Sequence, residues 1–328
     1  MDRLPPVSLG NYGNGFAFQS AAWRAAAITT VELRTIVRQQ SDGQFIDLLG
    51  PIRLGLCSAA TTAALAACHV QLKQPPQDGI MPTKLYCKNA SVDEENSTHL
   101  AALPGMALVF PAQDTFRGAP EAESQQRLLE LIEKKAVGQL QLKLGAQVLL
   151  TRNMPEKGLV NGSRGIVQQF VGGHYCDGYG VPPGEYTVPL VRFDNGIELL
   201  VVPTSTFQGG MGGALVRIQL PLKLAWALTV HKSQGMSLSR AELMLHDAFD
   251  YGQVYVALSL PSSPQHPAPS SLPFTPPPPP HLPPPRYVAL SRVTSLAGLW
   301  VRGGSITQNV VKAHPDVLTF YRAMGCHV

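Results

Sequence analysis

An α/β fold carrying a small all-β module is the architecture this sequence predicts, and three stretches predict it. Helix and strand patterns alternate between Phe16 and Leu54, and again between Lys84 and Lys135, the rhythm of strands covered by helices. Between Val171 and Leu220, short runs rich in Val and Leu are separated by turn residues, a hairpin pattern. Leu222 to Val230 is mostly apolar without a breaker and ends in His231, Lys232, Ser233, Gln234 and Gly235. That reads as a buried element delivering donors to a surface, with groups suited to phosphate oxygens.

In chain order, Phe18 to Ala26 reads as a helix with Trp23 inward, and Ile28 to Leu33 as a β-branched strand. Ser41-Asp42 caps a helix running through Phe45, Ile46 and Leu49, with Arg38-Gln39 just ahead of it. A strand over Lys84 to Cys87 leads into a helix that Ser91 or Asp93 starts, with Glu94 and Glu95 in its first turn. Asn89 and Asn96 fall in this region, where the plain reading is a solvated helix face. Pro111 to Ala136 is charged and Gln-rich, and reads as a surface excursion with one helix around Gln125 to Lys135.

Val148 to Leu150 is a buried run, and Val160-Asn161-Gly162 a turn whose Asn-Gly pair suits positive φ. Such a turn exposes backbone amides, and with Arg152, Lys157 and Arg164 nearby it reads as a modest anion-binding surface. Thr187 to Phe193 and Ile197 to Val202 are strands joined by Asp194-Asn195-Gly196. Tyr175, Tyr179 and Tyr186 either stack on bases or serve as core and rim residues. Gly209 to Gly213 reads as a flexible surface loop, Leu299-Trp300-Val301 as the strand that closes the sheet, and His314-Pro315-Asp316 as the start of a last helix, Val317 to Met324.

The 328 residues suffice for about two domains. The balance of 26 Lys and Arg against 22 Asp and Glu is only mildly basic, so nucleic-acid affinity must come from a local patch. Five cysteines without a C-x-x-C pair suggest neither a disulfide framework nor a zinc site, and make a reducing compartment the default. The sequence has no apolar run of membrane-spanning length, and its first residues lack a signal-peptide layout, so secretion is not expected.

HKSQGMSL (His231 to Leu238) and YVALSR (Tyr287 to Arg292) are preceded or separated, in order, by VELRTIVRQQ (Val31 to Gln40), LKLGAQVLLTRN (Leu142 to Asn153), GLVNGSRGIV (Gly158 to Val167) and QLPLKLAWAL (Gln219 to Leu228). This ordered set resembles the superfamily-one helicases of the petite-integration-frequency (Pif) family and their RecD-like relatives, over nearly the whole chain apart from one insertion. The resemblance implies a RecA-like second motor domain with a small all-β insertion of the SH3-like type. Its expected parts are residues 1–165, a β-barrel insertion at 166–220, and residues 221–328, interrupted at 255–286.

The implied activity is that of the C-terminal part of an ATP-dependent, five-prime to three-prime DNA helicase in genome maintenance. The complete enzyme would use ATP and Mg2+, work as a monomer in the nucleus or mitochondrion on single-stranded or forked DNA, and include an N-terminal motor domain missing here. By the same resemblance Arg38 and Arg292 are catalytic arginines reaching the terminal phosphate, Gln39, Gln234 and Gly235 face the nucleotide, and His231, Lys232, Ser233, Asn161 and Gly162 line the DNA path. No protein metal ligand is expected.

Two features depart from the family pattern. Leu4-Pro5-Pro6-Val7 resembles the tail of the third motif, with Arg3 at its Gln position, and the sequence contains no G-x-x-x-x-G-K-[ST] loop. The chain is therefore expected to carry half of an ATPase; the alternative is a module that only binds single strands or protein partners. YVALS also occurs twice, at Tyr255 to Ser259 and Tyr287 to Ser291, around a tract with prolines 276–280 and 283–285. Those prolines exclude helix and ladder pairing, and the tract reads as a retained intron or local duplication, or as a proline-rich ligand. Two identical segments compete for one core seat and only the second is followed by Arg292, so this motif is expected to be impaired.

Overall fold

The structure is a computed structural model that describes residues 17–27, 35–86, 89–175, 184–210, 212–230, 232–244, 287–308, 311, 313 and 315–324, with side chains for all of these except 17, 174–175, 184–186 and 287–289. The chain begins with α1 (Ala21–Ala25), α2 (Gly43–Arg53), α3 (Ala59–Ala66), β1 (Thr83–Tyr86) and α4 (Asn89–Ala102). The central part is β2 (Leu108–Pro111), β3 (Gln113–Gly118), α5 (Ala122–Lys135), β4 (Gln139–Leu142), β5 (Gln147–Leu150), β6 (Arg164–Tyr175), β7 (Gly184–Phe193), β8 (Glu198–Leu200), β9 (Thr204–Gly210) and β10 (Gly213–Gln219). It closes with β11 (Leu222–Leu224), β12 (Ala227–Thr229), β13 (Ala241–Met244), α6 (Tyr287–Arg292), β14 (Leu299–Arg302) and α7 (Pro315–Ala323).

Two sheet systems result, and the run from Leu222 to Thr229 crosses between them. β12, β1, β13 and β14 form a parallel sheet in that order. A parallel sheet is covered on both faces, which is why all four residues of β13 are buried and Ala225 to Val230 has no exposed position. Its core joins Phe45, Leu49 and Ile52 of α2 to Leu228, Leu243, Leu290, Val293 and Val301. Asp42 caps α2 by accepting from the Phe45 amide at 2.9 Å, as its sequence position predicts.

β11 belongs to the other system, an antiparallel sheet in the order β11, β5, β6, β7, β8. A second antiparallel sheet orders β3, β10 and β9 under α5, and β2 pairs with β4. The β-structure therefore extends on both sides of residues 166–220, because β5 and β11 pair with each other and with the sheet that contains β6. β6 itself begins before residue 166. The β7–β8 hairpin forms where Asp194-Asn195-Gly196 predicts it, with Gly196 at φ +85°.

Several local expectations are corrected. The 111–136 segment contains β3, which pairs with β10 along its whole length, because its outward residues are polar and hide the strand pattern. Gly209, Gly210 and Gly213 belong to the paired ends of β9 and β10: Gly213 lies opposite Gly210 and Gly118, and a Cβ there would stand 2.9 Å from the Pro120 ring. Helix α4 starts at Asn89, ahead of Ser91. Asn96 is a clamp on the edge strand β12, donating to the Ala227 carbonyl and accepting from the Ala227 amide, both at 3.0 Å. The expected strand over Ile28 to Leu33 lies outside the described residues.

Candidate functional site

Three segments far apart in sequence meet at one end of the parallel sheet. The turn before α2 presents Arg38, half-buried, and Gln39, 4% exposed. Arg38 donates from Nε to Ser237 Oγ at 3.1 Å and from Nη1 to the Ser291 carbonyl at 3.2 Å. Gln39 donates from Nε2 to the Ser291 carbonyl at 3.1 Å and to the Val293 carbonyl at 2.7 Å. The Leu238 amide donates to the Arg292 carbonyl at 2.9 Å, and the Thr294 amide returns to the Leu238 carbonyl at 3.0 Å. Asp42 joins the same knot, its second carboxylate oxygen accepting from the Leu296 amide at 2.9 Å.

The loop after β12 is a tight turn whose first donors are spent internally. The Lys232 amide bonds Thr229 Oγ1 at 3.2 Å and the Ser233 amide bonds the Thr229 carbonyl at 3.0 Å. Gly235 stands exposed at φ +80° with nothing within 4 Å of the place a Cβ would take. Gly162 packs against this loop at φ +101°, where a Cβ would be 2.8 Å from the Ser237 carbonyl; only glycine meets both conditions without strain. Lys232 is exposed, and Lys223 of β11 is its electrostatic neighbour. Burial first, and Lys232 second, push the Lys223 ammonium below the ordinary lysine range, with Glu133 opposing. Lys223 Nζ donates to the Lys134 carbonyl at 3.0 Å.

The donor set suits a polyanion: a half-buried guanidinium, a cationic pair and an open glycine. Burial lowers the Arg38 pKa, and an arginine so displaced still carries its charge at neutral pH. Nη2 of Arg38 takes no partner among the described residues. Among those residues there is also no group of three or more His, Cys, Asp and Glu that could hold a metal ion.

Comparison with known proteins meets this geometry from outside. The family described as "DNA helicase Pif1, 2B domain" matches residues 133–170. A Xenopus laevis protein, ATP-dependent DNA helicase PIF1, is 35% identical over 326 residues, covering 98% of this chain and 42% of its own length. The chain belongs to the Pif1 family. It spans about two fifths of that curated relative. The crystal structure of Pif1 helicase from Candida albicans has a TM-score of 0.63 at 30% identity, with 98% of this chain and 66% of that chain covered. A Bacteroides Pif1 helicase solved in complex with ADP-AlF3 and ssDNA has a TM-score of 0.52 at 22% identity, covering 98% of this chain and 65% of that one. The fold is accordingly the mixed α/β, RecA-like helicase type.

The residues that the Pif1 resemblance singles out are placed unevenly. Arg38 and the Arg292 backbone lie in the knot, and Arg292 Nη2 also bonds Ser291 Oγ at 2.9 Å. Leu290 of the second YVALS copy is in the core at 0% exposure; the first copy lies outside the described residues, as do His231 and Tyr179. Gln234 is half-buried beside the exposed Gly235 and Lys232.

Others take different parts. Gln39, expected to face the nucleotide, is buried and braces the end of α6, its Nε2 donating to the Ser291 and Val293 carbonyls. Ser233 turns inward at 0% exposure, its hydroxyl donating to the Val230 carbonyl at 2.7 Å, so it cannot line an outer path. Nor does the Asn161-Gly162 turn expose amides: Asn161 N–H donates to Asn153 Oδ1 and Gly162 N–H to the Leu150 carbonyl, each at 2.8 Å. Arg164, expected on an anion-binding surface, is wholly buried. Sequence reasoning missed Lys223, whose one signal was a lysine inside an otherwise apolar strand.

Proposed function

We propose that this chain supplies the second motor domain of an ATP-dependent DNA helicase. The observation that carries the reading is the hydrogen-bonded convergence of Arg38, Ser237 and Ser291, one residue from each of three segments that resemble motor motifs. Arg38 and Arg292 would reach the terminal phosphate of a nucleotide held against a preceding motor domain, where fixed cations stabilise the charge of phosphoryl transfer. The nucleotide and its Mg2+ supply the phosphoanhydride chemistry, and this chain orients and neutralises it. Gln234 and Gly235 border the same cleft.

Lys232, with the Asn161-Gly162 turn behind its loop, would grip single-stranded or forked DNA by its backbone, reading little sequence. In this proposal the antiparallel β region is an SH3-like module beside the strand. Translocation runs five-prime to three-prime, and the enzyme serves genome maintenance as a monomer in the nucleus or mitochondrion. The relatives named PIF1 and the Bacteroides complex with ADP-AlF3 and ssDNA support the ATP-dependent, DNA-directed part of this reading. A second reading is a module that binds strands without turning over nucleotide.

The test is DNA-stimulated ATP hydrolysis by the protein joined to a Pif1-family first motor domain. Arg38→Ala and Arg292→Ala are each expected to lower kcat by about 10³-fold, the scale of an arginine finger. Hydrolysis that survives both substitutions would remove the assignment. Absent hydrolysis in the parent with retained strand binding would favour the second reading.

A further inference from the structure

Arg164 is the largest fully buried side chain in the molecule as described, and its partners come from separate segments. Nη2 donates to Asp194 Oδ2 at 3.1 Å, in the β7–β8 turn, and to Ser239 Oγ at 2.7 Å. Nη1 donates to the Arg240 carbonyl and, at 3.5 Å, to Thr83 Oγ1 at the start of β1. Ser239 Oγ in turn donates to Asp194 Oδ2. Arg164 and Asp194 are also joined through the backbone, the Asp194 amide donating to the Arg164 carbonyl at 2.8 Å.

Ser239 and Arg240 are the residues through which the Lys232-to-Leu238 loop enters β13. Their far side is held as well: Arg240 Nη1 donates to Asp78 Oδ1 at 2.7 Å and to the Ile80 carbonyl at 3.0 Å. Arg192 of β7 donates to the Asp78 carbonyl at 3.0 Å. A planar guanidinium with fixed donors is suited to holding several acceptors in one geometry, which a lysine ammonium is not. The antiparallel β system and the exit of the loop are thus joined directly through Arg164 and, by way of Asp78, through Arg192, with the buried Arg164 charge neutralised by Asp194.

We infer that Arg164, held by Asp194, is a positioning residue for strand binding: it fixes Ser239 and Arg240, and so sets the loop that presents Lys232. This rests on the reading of that loop as a DNA contact. It also assigns the β7–β8 turn a task in the motor half of the fold. A displacement of that turn, by a strand lying on the antiparallel sheet, would be felt at the loop through Asp194, by way of Arg164 and through its direct hydrogen bond from Ser239.

Fluorescence anisotropy with a labelled oligo-dT and the whole chain tests this, alongside thermal melting of each variant. Lys232→Ala first checks the underlying reading and should lower the salt slope by about 0.7, one single-strand phosphate contact. Asp194→Asn and Arg164→Lys should each weaken binding by about threefold to tenfold, the range of coupling through a packed network. Ser239→Ala, at an exposed position, should weaken binding without changing the melting temperature, and Ser239→Thr should restore it. Asp114→Asn, which disturbs a comparable arginine pair elsewhere, should leave affinity unchanged. If Lys232→Ala is silent, the DNA reading fails. Should Lys232→Ala weaken binding while Ser239→Ala and Arg164→Lys match the parent, the positioning role is overturned and the reading survives. Should the Arg164 and Asp194 variants fail to fold, the Ser239 pair decides alone.

Discussion

Arg164 and Arg217 are both sunk in β-structure and both paired, and they hold different things. Arg217 lies on β10 at 4% exposure, donating from Nε and Nη2 to the two oxygens of Asp114 at 2.7 Å each and from Nη1 to Glu133 at 2.5 Å and to the Ala136 carbonyl at 2.8 Å. Those partners sit on β3, on α5 and just past its end, so the bond set closes one local unit. The Asp114 hydrogen bonds, with Glu133 assisting, raise the Arg217 pKa. Arg164 instead bridges two sheet systems; burial lowers its pKa to about 10, against the pull of Asp194. It stays charged at neutral pH, and its charge is tolerated there only while the bridge is intact. A bidentate pair near solvent stabilises what is already adjacent, whereas a buried fork enforces a relation between parts that are otherwise independent.

The largest expected effect is from breaking the bridge outright. Arg164→Leu leaves Asp194, 10% exposed, without its charge partner, and should cost about 3–5 kcal/mol of stability, the scale for an orphaned buried charge. Chemical denaturation checks it, and a loss no larger than that of Arg217→Leu would erase the contrast. Arg217→Leu should cost about 1–3 kcal/mol, because Asp114 at 26% and Glu133 at 52% exposure recover water as a partner. Its effect should stay within α5, β3, β9 and β10.

Level with Arg217→Leu stands Asn96→Ala, which strips both backbone groups of Ala227 of their partner. A cost of about 1–3 kcal/mol is expected, with faster amide exchange at β12 as the local signature; unchanged exchange there would show that β12 does not need the clamp. The smallest effect concerns acid. Hydrogen bonding from Arg240 holds the Asp78 carboxyl below its usual range. A carboxylate so depressed adds stability above its unfolded pKa and loses it as pH falls through the folded value. Asp78→Asn should therefore flatten the acid limb of the stability profile by less than about 1 kcal/mol, since the pair is partly exposed.

What the sequence made legible was local. The Asp42 cap, the Asp194-Asn195-Gly196 hairpin and the Val148 to Leu150 run each depend on neighbours a few residues away, and the ordered motif blocks carried the family. Arg164 was misread because Asn161-Gly162-Ser163 beside it is polar, while the acceptors that bury it lie 30 to 81 positions away in the chain. β3 was missed for the opposite reason: it is an edge strand with mostly exposed side chains, so no apolar alternation marks it. Ser233 and Gln39 show the limit of motif transfer, since a motif names a residue without saying which way it faces. The knot at Ser291 and Val293 could be found only once the sheet had placed its segments side by side.

Amide hydrogen exchange across residues 232–240 tests the contrast most directly, comparing the parent with Asp194→Asn and Asp114→Asn. Exchange in that loop should quicken by about tenfold or more in Asp194→Asn, as local opening becomes cheaper, and stay at the parental rate in Asp114→Asn. Equal protection in the two variants would mean that the buried bridge does not hold the loop.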